Sequence, residues 1–238
     1  MSGHSKWDNI KRRKGAQDQQ RGKAFSKISR LIVAAVKEGN SDDPGLNPRL
    51  RLALERARVE NMPKDNIVRA IQGAAKSKES AEEFVLEGYG PGGLAVMVEV
   101  LTDNRQRTVQ ELKNIFQKGG GSLSEPGAVA FQFEKKGFLE TEKVTEEKML
   151  SLIDAGADDF EESGGNTLIW VSASDLPLME SKLRELGIEV KRSDLVMKPT
   201  NKMSLDKGVK SRALDFLEAV SDHDDVQRVF SNLNTASL

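Results

Sequence analysis

The chain of 238 residues has no cysteine, which removes disulfides, thiolate zinc sites and cysteine nucleophiles together. Only two histidines are present, His4 and His223, at opposite ends of the sequence, so a histidine-based zinc site is not expected. No run approaches the roughly 20 apolar residues needed to cross a bilayer. The amino terminus is positively charged but lacks the apolar stretch and small-residue cleavage site of a secretory signal. A cytoplasmic protein without membrane attachment is the expectation. Aromatic residues make up 5% of the chain, and no segment resembles the aromatic strands of an RNA-recognition motif or a recognition-helix code.

What the chain does have is charge, unevenly distributed. The first 39 residues hold ten Lys and Arg against three acids. Residues 1–78 hold 18 basic and 8 acidic side chains, net +10, and residues 79–238 hold 18 basic and 29 acidic, net −11. The overall net charge of −1 therefore hides a polarised molecule. A basic end favours phosphate backbones through counterion release, and an acidic remainder limits unspecific adhesion to the same polyanion.

With 37% hydrophobic and 31% charged residues, the composition is that of a globular protein, and the length suits two or three domains. Residues 1–22 are polar and interrupted by Gly3, Gly15 and Gly22, which reads as an arm that orders on binding. From Phe25 the apolar positions Phe25, Ile28, Ile32, Ala35 and Val36 recur at helical spacing up to Gly39. Asn47 can cap, and Pro48 begin, a second helix carrying Leu50, Ala53, Leu54 and Ala57 inward. Pro63 starts a third, with Ile67, Ala70, Ile71 and Ala74 as its buried stripe. Residues 23–78 are thus expected to form a three-helix bundle that binds nucleic acid.

Beyond a Lys, Ser and Glu-rich linker at 76–83, strands and helices alternate. Strands are expected at 84–88, 94–102 and 128–134, the last from the alternation of Val129, Phe131 and Phe133, with a helix over 104–118 stopped by three glycines. Residues 136–198 read as strand, helix, strand, strand, helix, strand, the order of a ferredoxin-like unit. The helix at 206–221 and the strand near 226–231 have no partner there and are assigned to the preceding domain. The expectation is an α+β multidomain protein: a basic arm (1–22), a helical bundle (23–78), an α/β domain II (79–134 plus 204–238) and a ferredoxin-like α/β domain III (135–203) inserted in domain II.

Several formal motifs fail on context. Gly88, Gly90 and Gly93 spell GxGxxG, but Pro91 and a following strand make a hairpin turn, not a dinucleotide loop. Gly22-Lys23 lacks the Ser or Thr of a P-loop. Asp222, His223, Asp224 and Asp225 read as a solvated acidic turn in preference to an ion site. Asp158, Asp159, Glu161 and Glu162 invite a two-metal hydrolytic reading, but alternation puts the adjacent acids on opposite faces, and an exposed charged strand that resists edge pairing is preferred. No catalytic residue, metal or cofactor is assigned. The basic residues, by contrast, continue from Lys11, Arg12, Arg13 and Lys14 into Lys23, Lys27, Arg30, Arg49, Arg51, Arg56, Arg58 and Arg69, so a compact positive surface can form. Trp7 beside Lys6 can stack on a base or sugar, or else dock on the bundle.

The strings GHSKWDNIKRRKGAQD, RGKAFSKISR and DPGLNPRLRLALERARVENMPKDNIVRAI, followed by EGYGPGG, TDNRQRTVQELKNIFQKGGGSL, GAVAFQFEKKG and DDVQRVFSN, resemble the YebC/PmpR family over the whole chain. That family includes the mitochondrial translational activator of cytochrome oxidase. The resemblance implies a three-domain, non-enzymatic, cytosolic protein described in bacteria as a DNA-binding transcriptional regulator. It also implies, as an alternative, a translation factor that binds ribosomal RNA and relieves ribosomes stalled on proline-rich nascent chains. By position it carries nucleic-acid contact to His4, Lys6, Trp7, Lys11, Arg12, Arg13, Lys14, Arg21 and Lys23, with Lys27 and Arg30 on the adjoining helix. Lys64 and Asn66 fall at a helix start, where backbone amides can meet a phosphate or serve only helix initiation. The expected partners are DNA or ribosomal RNA, with a protein partner for the acidic domains II and III, and a monomer is the default. A metal-dependent nuclease built on the acidic clusters is the least favoured reading.

Overall fold

The computed structural model describes residues 17–76 and 81–234. Three helices open it: α1 (Gln17–Gly39), α2 (Pro48–Val59) and α3 (Lys64–Lys76). Their apolar stripes meet in one core of Ile28, Ile32, Ala35, Leu50, Ala53, Ala57, Met62 and Ala70, with Phe25, Val36, Leu54, Ile67 and Ile71 packed around it. Apart from Met62, which lies between α2 and α3, these are positions that the 3.6-residue period selects. Asn47, 2% exposed, is the pin of this bundle. Its Oδ1 accepts the Leu50 amide at 3.0 Å and caps α2, while its Nδ2 donates to the carbonyls of Ala35 at 2.8 Å and Ser41 at 2.9 Å. Gly39 leaves room for it, since a Cβ there would run into the Asn47 amide.

α1 begins at Gln17, inside the segment expected to be an unfolded arm. The residues preceding Phe25 lack an apolar stripe, but three Gln with Arg21, Lys23 and Ala24 propagate an existing helix well, and a single internal glycine does not stop it.

Two four-stranded sheets follow. The first contains β1 (Glu82–Gly90), β2 (Leu94–Thr102), β3 (Ser122–Ser124) and β8 (Val226–Ser231) in the order β3-β1-β2-β8, with helices α4 (Arg105–Lys118) and α7 (Lys207–Ser221). β1 and β2 form the expected hairpin, in register from Glu82↔Thr102 to Gly90↔Leu94. The GxGxxG glycines serve packing and turning: a Cβ on Gly88 would lie 2.7 Å from the Phe116 ring, one on Gly90 2.7 Å from Phe216, and Gly93 has φ +80. The two phenylalanines meet edge to face at 4.9 Å, joining α4 to α7.

The second sheet contains β4 (Phe133–Glu142), β5 (Ala157–Ser163), β6 (Asn166–Ser172) and β7 (Val190–Pro199) in the antiparallel order β5-β6-β4-β7, with α5 (Glu146–Asp154) and α6 (Leu176–Glu185). This is the ferredoxin-like βαββαβ arrangement. Because β8 returns to the first sheet after this unit, the second α/β domain is inserted in the first, as the order of elements implies. Compactness divides the chain into two units, one running to Val129 and including Leu205–Val229, the other comprising Ala130–Ser204 and the residues from Phe230.

Two expectations need correction. The strand placed at 128–134 is a 3-10 turn over Ala130–Gln132, and the strand proper starts at Phe133. The Glu87 carboxylate takes the amides of Gly127 (2.7 Å) and Val129 (2.8 Å), fixing a bend, so Phe131 is 74% exposed despite its alternating position. In β5 the register slips between Ala157 and Asp159. The extra residue of this bulge cancels the alternation, and both adjacent acids reach lysines of the same sheet: Asp158 to Lys136 at 3.1 Å and Asp159 to Lys198 at 2.9 Å. β5 is nonetheless an edge strand carrying charge, as expected.

Candidate nucleic-acid interface

His4, Lys6, Trp7, Lys11, Arg12, Arg13 and Lys14 lie outside the described residues. The other candidates sit on α1 and α3, and α2 adds further cations. Arg21 is exposed on α1, and Lys23, Lys27 and Arg30 follow it, half-buried. Arg51 and Arg58 are exposed on the outer side of α2, beside the exposed Leu52 and Val59. Lys64 is exposed at the start of α3. The Asn66 side-chain oxygen accepts from Arg69 Nη2 at 2.5 Å, and the Asn66 backbone amide donates to the Pro63 carbonyl at 3.0 Å. Asn66 is thus occupied in initiating α3, leaving Lys64 as the solvent-facing cation of the pair.

Lys23, Lys27 and Arg30 share one face of α1, because spacings of four and three residues bring side chains into line. All three reach the turn that follows α7. Lys23 Nζ lies 3.2 Å from Asp222 Oδ2, Lys27 Nζ donates to the Ser221 carbonyl at 2.6 Å, and Arg30 Nη1 lies 2.6 Å from Asp225 Oδ1. The Ser221 carbonyl closes the negative end of α7, which favours a cation there. On α2, Arg49 pairs with Glu38 and with Glu83.

The 221–225 turn is therefore not merely a solvated acidic loop. Asp225 is 4% exposed and stands at the centre of a network. Its Oδ2 accepts from the Thr108 hydroxyl at 2.7 Å, the Thr102 hydroxyl at 3.1 Å and Arg107 Nη2 at 3.0 Å, and its carbonyl accepts the Leu101 amide at 2.9 Å. Burial opposes ionisation of this carboxyl, but the hydrogen bonds from Thr108, Arg107 and Thr102 and the Arg30 charge outweigh it, holding the pKa below the ordinary carboxylate range. These partners lie 117 to 195 residues away in sequence, and the sequence offered no signal for them beyond the acidic turn itself.

Glu111, His223 and Asp225 bring three ligand-type atoms within 4.8 Å of one another. The donor set does not suit a cation. His223 Nδ1 accepts the Asp225 amide at 3.1 Å, which leaves Nε2 as the protonated nitrogen facing Glu111 Oε2 at 2.9 Å. Both ring nitrogens are committed, and two guanidinium groups already neutralise Asp225.

In the other unit, the acids of β5 are likewise matched to bases: besides the two aspartates, Glu161 pairs with Lys202 at 3.4 Å and Glu162 with Lys143 at 3.5 Å. Desolvation raises, but Lys198 and the Phe160 amide more than offset it to lower, the pKa of Asp159. Among the described residues no helix is long and apolar enough to cross a membrane.

Residues 5–77 match the family model described as the TACO1/YebC protein N-terminal domain, and residues 81–233 match that of the TACO1/YebC second and third domain. A protein of Thermotoga maritima named "Probable transcriptional regulatory protein" is 45% identical over 238 residues, covering 98% of this chain and 93% of its own. Proteins of the same name from Halothermothrix orenii (42% identity; 98% and 95% covered) and Chloroflexus aurantiacus (44%; 100% and 98%) are also similar. The crystal structure of a conserved hypothetical protein, Aq1575 from Aquifex aeolicus, superposes with a TM-score of 0.79 at 38% identity, covering 91% of each chain. With both family models matched along nearly the whole length, and the fold shared with a solved relative, the chain belongs to the TACO1/YebC family.

Proposed function

We propose that this protein is a non-enzymatic regulator of gene expression that grips nucleic acid by its basic end, acting as a DNA-binding transcriptional regulator. The observation that carries the reading is the separation of charge, net +10 over residues 1–78 against −11 over the remainder, with Arg21, Arg51, Arg58 and Lys64 exposed on the bundle. The names of the relatives from Thermotoga maritima and Halothermothrix orenii agree with it. A hydrolytic role is disfavoured because the acids it would use are committed: those of β5 to lysines, and Asp225 to Arg30 and Arg107.

A second reading, a ribosome-associated translation factor that binds ribosomal RNA and relieves stalling on proline-rich nascent chains, is favoured by the character of the exposed cations. They are Lys and Arg exposed on the bundle helices, suited to phosphates and to the shape of a folded RNA more than to base edges. Fluorescence anisotropy with labelled duplexes separates the two. If about five of the cations named on the arm and bundle meet phosphates, log K falls with log[salt] at a slope of about −4 to −5. A DNA sequence preferred over random competitor by about a thousandfold supports transcription. Sequence-blind DNA binding, together with RNase-sensitive sedimentation with ribosomes in a lysate, supports translation. Absence of salt-dependent binding to either nucleic acid refutes both.

A further inference from the structure

The three cations on the face of α1 opposite the bundle core are not offered to solvent alone. Lys23, Lys27 and Arg30 each hold one acceptor of the turn after α7: the Asp222 carboxylate, the Ser221 carbonyl and the Asp225 carboxylate. Along the helix these cations are spaced about 6 and 4.5 Å apart in rise, and the turn meets them with a row of negative groups, as a phosphate backbone would. We propose that the 221–225 turn is a built-in competitor for nucleic acid, a clasp that occupies the α1 cations in the unbound protein and is displaced when a polyanion takes its place. The proposal rests on the reading that the basic end binds nucleic acid, and it assigns that surface its regulation.

Three features make the clasp releasable. The bundle core is self-contained, drawn from residues between Phe25 and Ile71, so the bundle does not depend on the turn for its packing. The Lys23–Asp222 pair is open to water on both sides, at 39% and 43% exposed, and the Arg30–Asp225 pair on the arginine side alone, at 42% against 6%. Such pairs are weak and screened by salt. Finally, release does not strand a buried charge. When Arg30 leaves Asp225 Oδ1, Oδ2 keeps Thr108, Thr102 and Arg107. The closed and open forms are therefore close enough in free energy for a multivalent polyanion to choose between them.

The test uses the full-length protein and a fluorescein-labelled duplex of arbitrary sequence, made as DNA and as RNA, in anisotropy titrations between about 50 and 200 mM KCl. Asp222→Asn removes the exposed carboxylate of the clasp. Asp215→Asn, at an exposed position of α7, removes the same charge elsewhere. The clasp predicts that Asp222→Asn tightens binding by about threefold to fivefold, while Asp215→Asn changes it by less than about 1.5-fold. Because the chain has no cysteine, dyes can be placed at Ser26→Cys and Ala219→Cys, both exposed, and energy transfer between them should fall as the duplex saturates the protein. Equal effects of the two neutral variants, or transfer unchanged at saturation, overturn the clasp while leaving nucleic-acid binding intact. Failure of the wild-type protein to bind either duplex at the lowest salt overturns the underlying reading, and the clasp with it.

Discussion

Replacing Asp225 with alanine is the perturbation whose size follows most directly from the structure. The change removes a 4% exposed carboxylate that accepts two buried hydroxyls, Thr108 at 2.7 Å and Thr102 at 3.1 Å. Hydrogen bonds to a charged acceptor contribute about 1.5 to 3 kcal/mol each. Arg30 reaches in from a side chain 42% exposed, so its pairing is screened and adds at most about 1 kcal/mol. The hydroxyls keep part of their bonding elsewhere, since Thr108 lies 3.1 Å from the Asn104 carbonyl, and the net loss comes to about 3 to 4 kcal/mol. For a chain of this size, each kcal/mol lowers Tm by about 2 to 4 °C, so calorimetry at neutral pH should show a fall of about 6 to 16 °C. Asp225→Asn keeps the volume but turns a donor toward one of the existing donors, and should fall between wild type and Asp225→Ala. A drop below about 2 °C for the alanine variant would refute the idea that this network holds the β2, α4 and α7 ends together.

The same carboxyl fixes a pH dependence. Its folded pKa is depressed, so its contribution is present above the unfolded value near 3.9 and is lost as pH falls through the folded one; acid titration of stability should therefore be shallower in Asp225→Asn than in wild type below about pH 4. Asn47→Ala removes the α2 cap and the side-chain bonds to the Ala35 and Ser41 carbonyls, and should cost about 2 to 3 kcal/mol by urea titration. Phe216→Ala, which removes the edge-to-face contact with Phe116 at a 2% exposed position, should cost about 3 to 5 kcal/mol. Gly90→Ala should also destabilise, because its Cβ would press on the Phe216 ring, and combining it with Phe216→Ala should recover part of that loss in a double-mutant cycle.

The bundle was legible because each of its helices repeats its apolar residues at one period, and Asn47 with Pro48 announced a start that the structure retains. The ferredoxin-like unit was legible from the order of its elements alone. What escaped was set by distant groups or by single-residue irregularities. The bend before Phe133 depends on Glu87 some 40 residues earlier, and three serine-rich residues gave no strand signal for β3. The bulge at Ala157–Asp159 is invisible to an alternation count. The acidic turn looked like an ordinary solvated loop because Arg30, its partner, lies 195 residues away. The relatives' shared name points to regulation, and the charge separation is the feature on which the proposed nucleic-acid partner rests.

The measurement that tests the central claim most directly is ultraviolet cross-linking of the full-length protein in living cells, followed by mapping of the cross-linked peptides and sequencing of the attached nucleic acid. The account predicts cross-links confined to residues 1–78, to DNA sites near promoters if transcription is the role and to ribosomal RNA if translation is. Cross-links that fall only in residues 79–238, or a protein that acquires none, would contradict it.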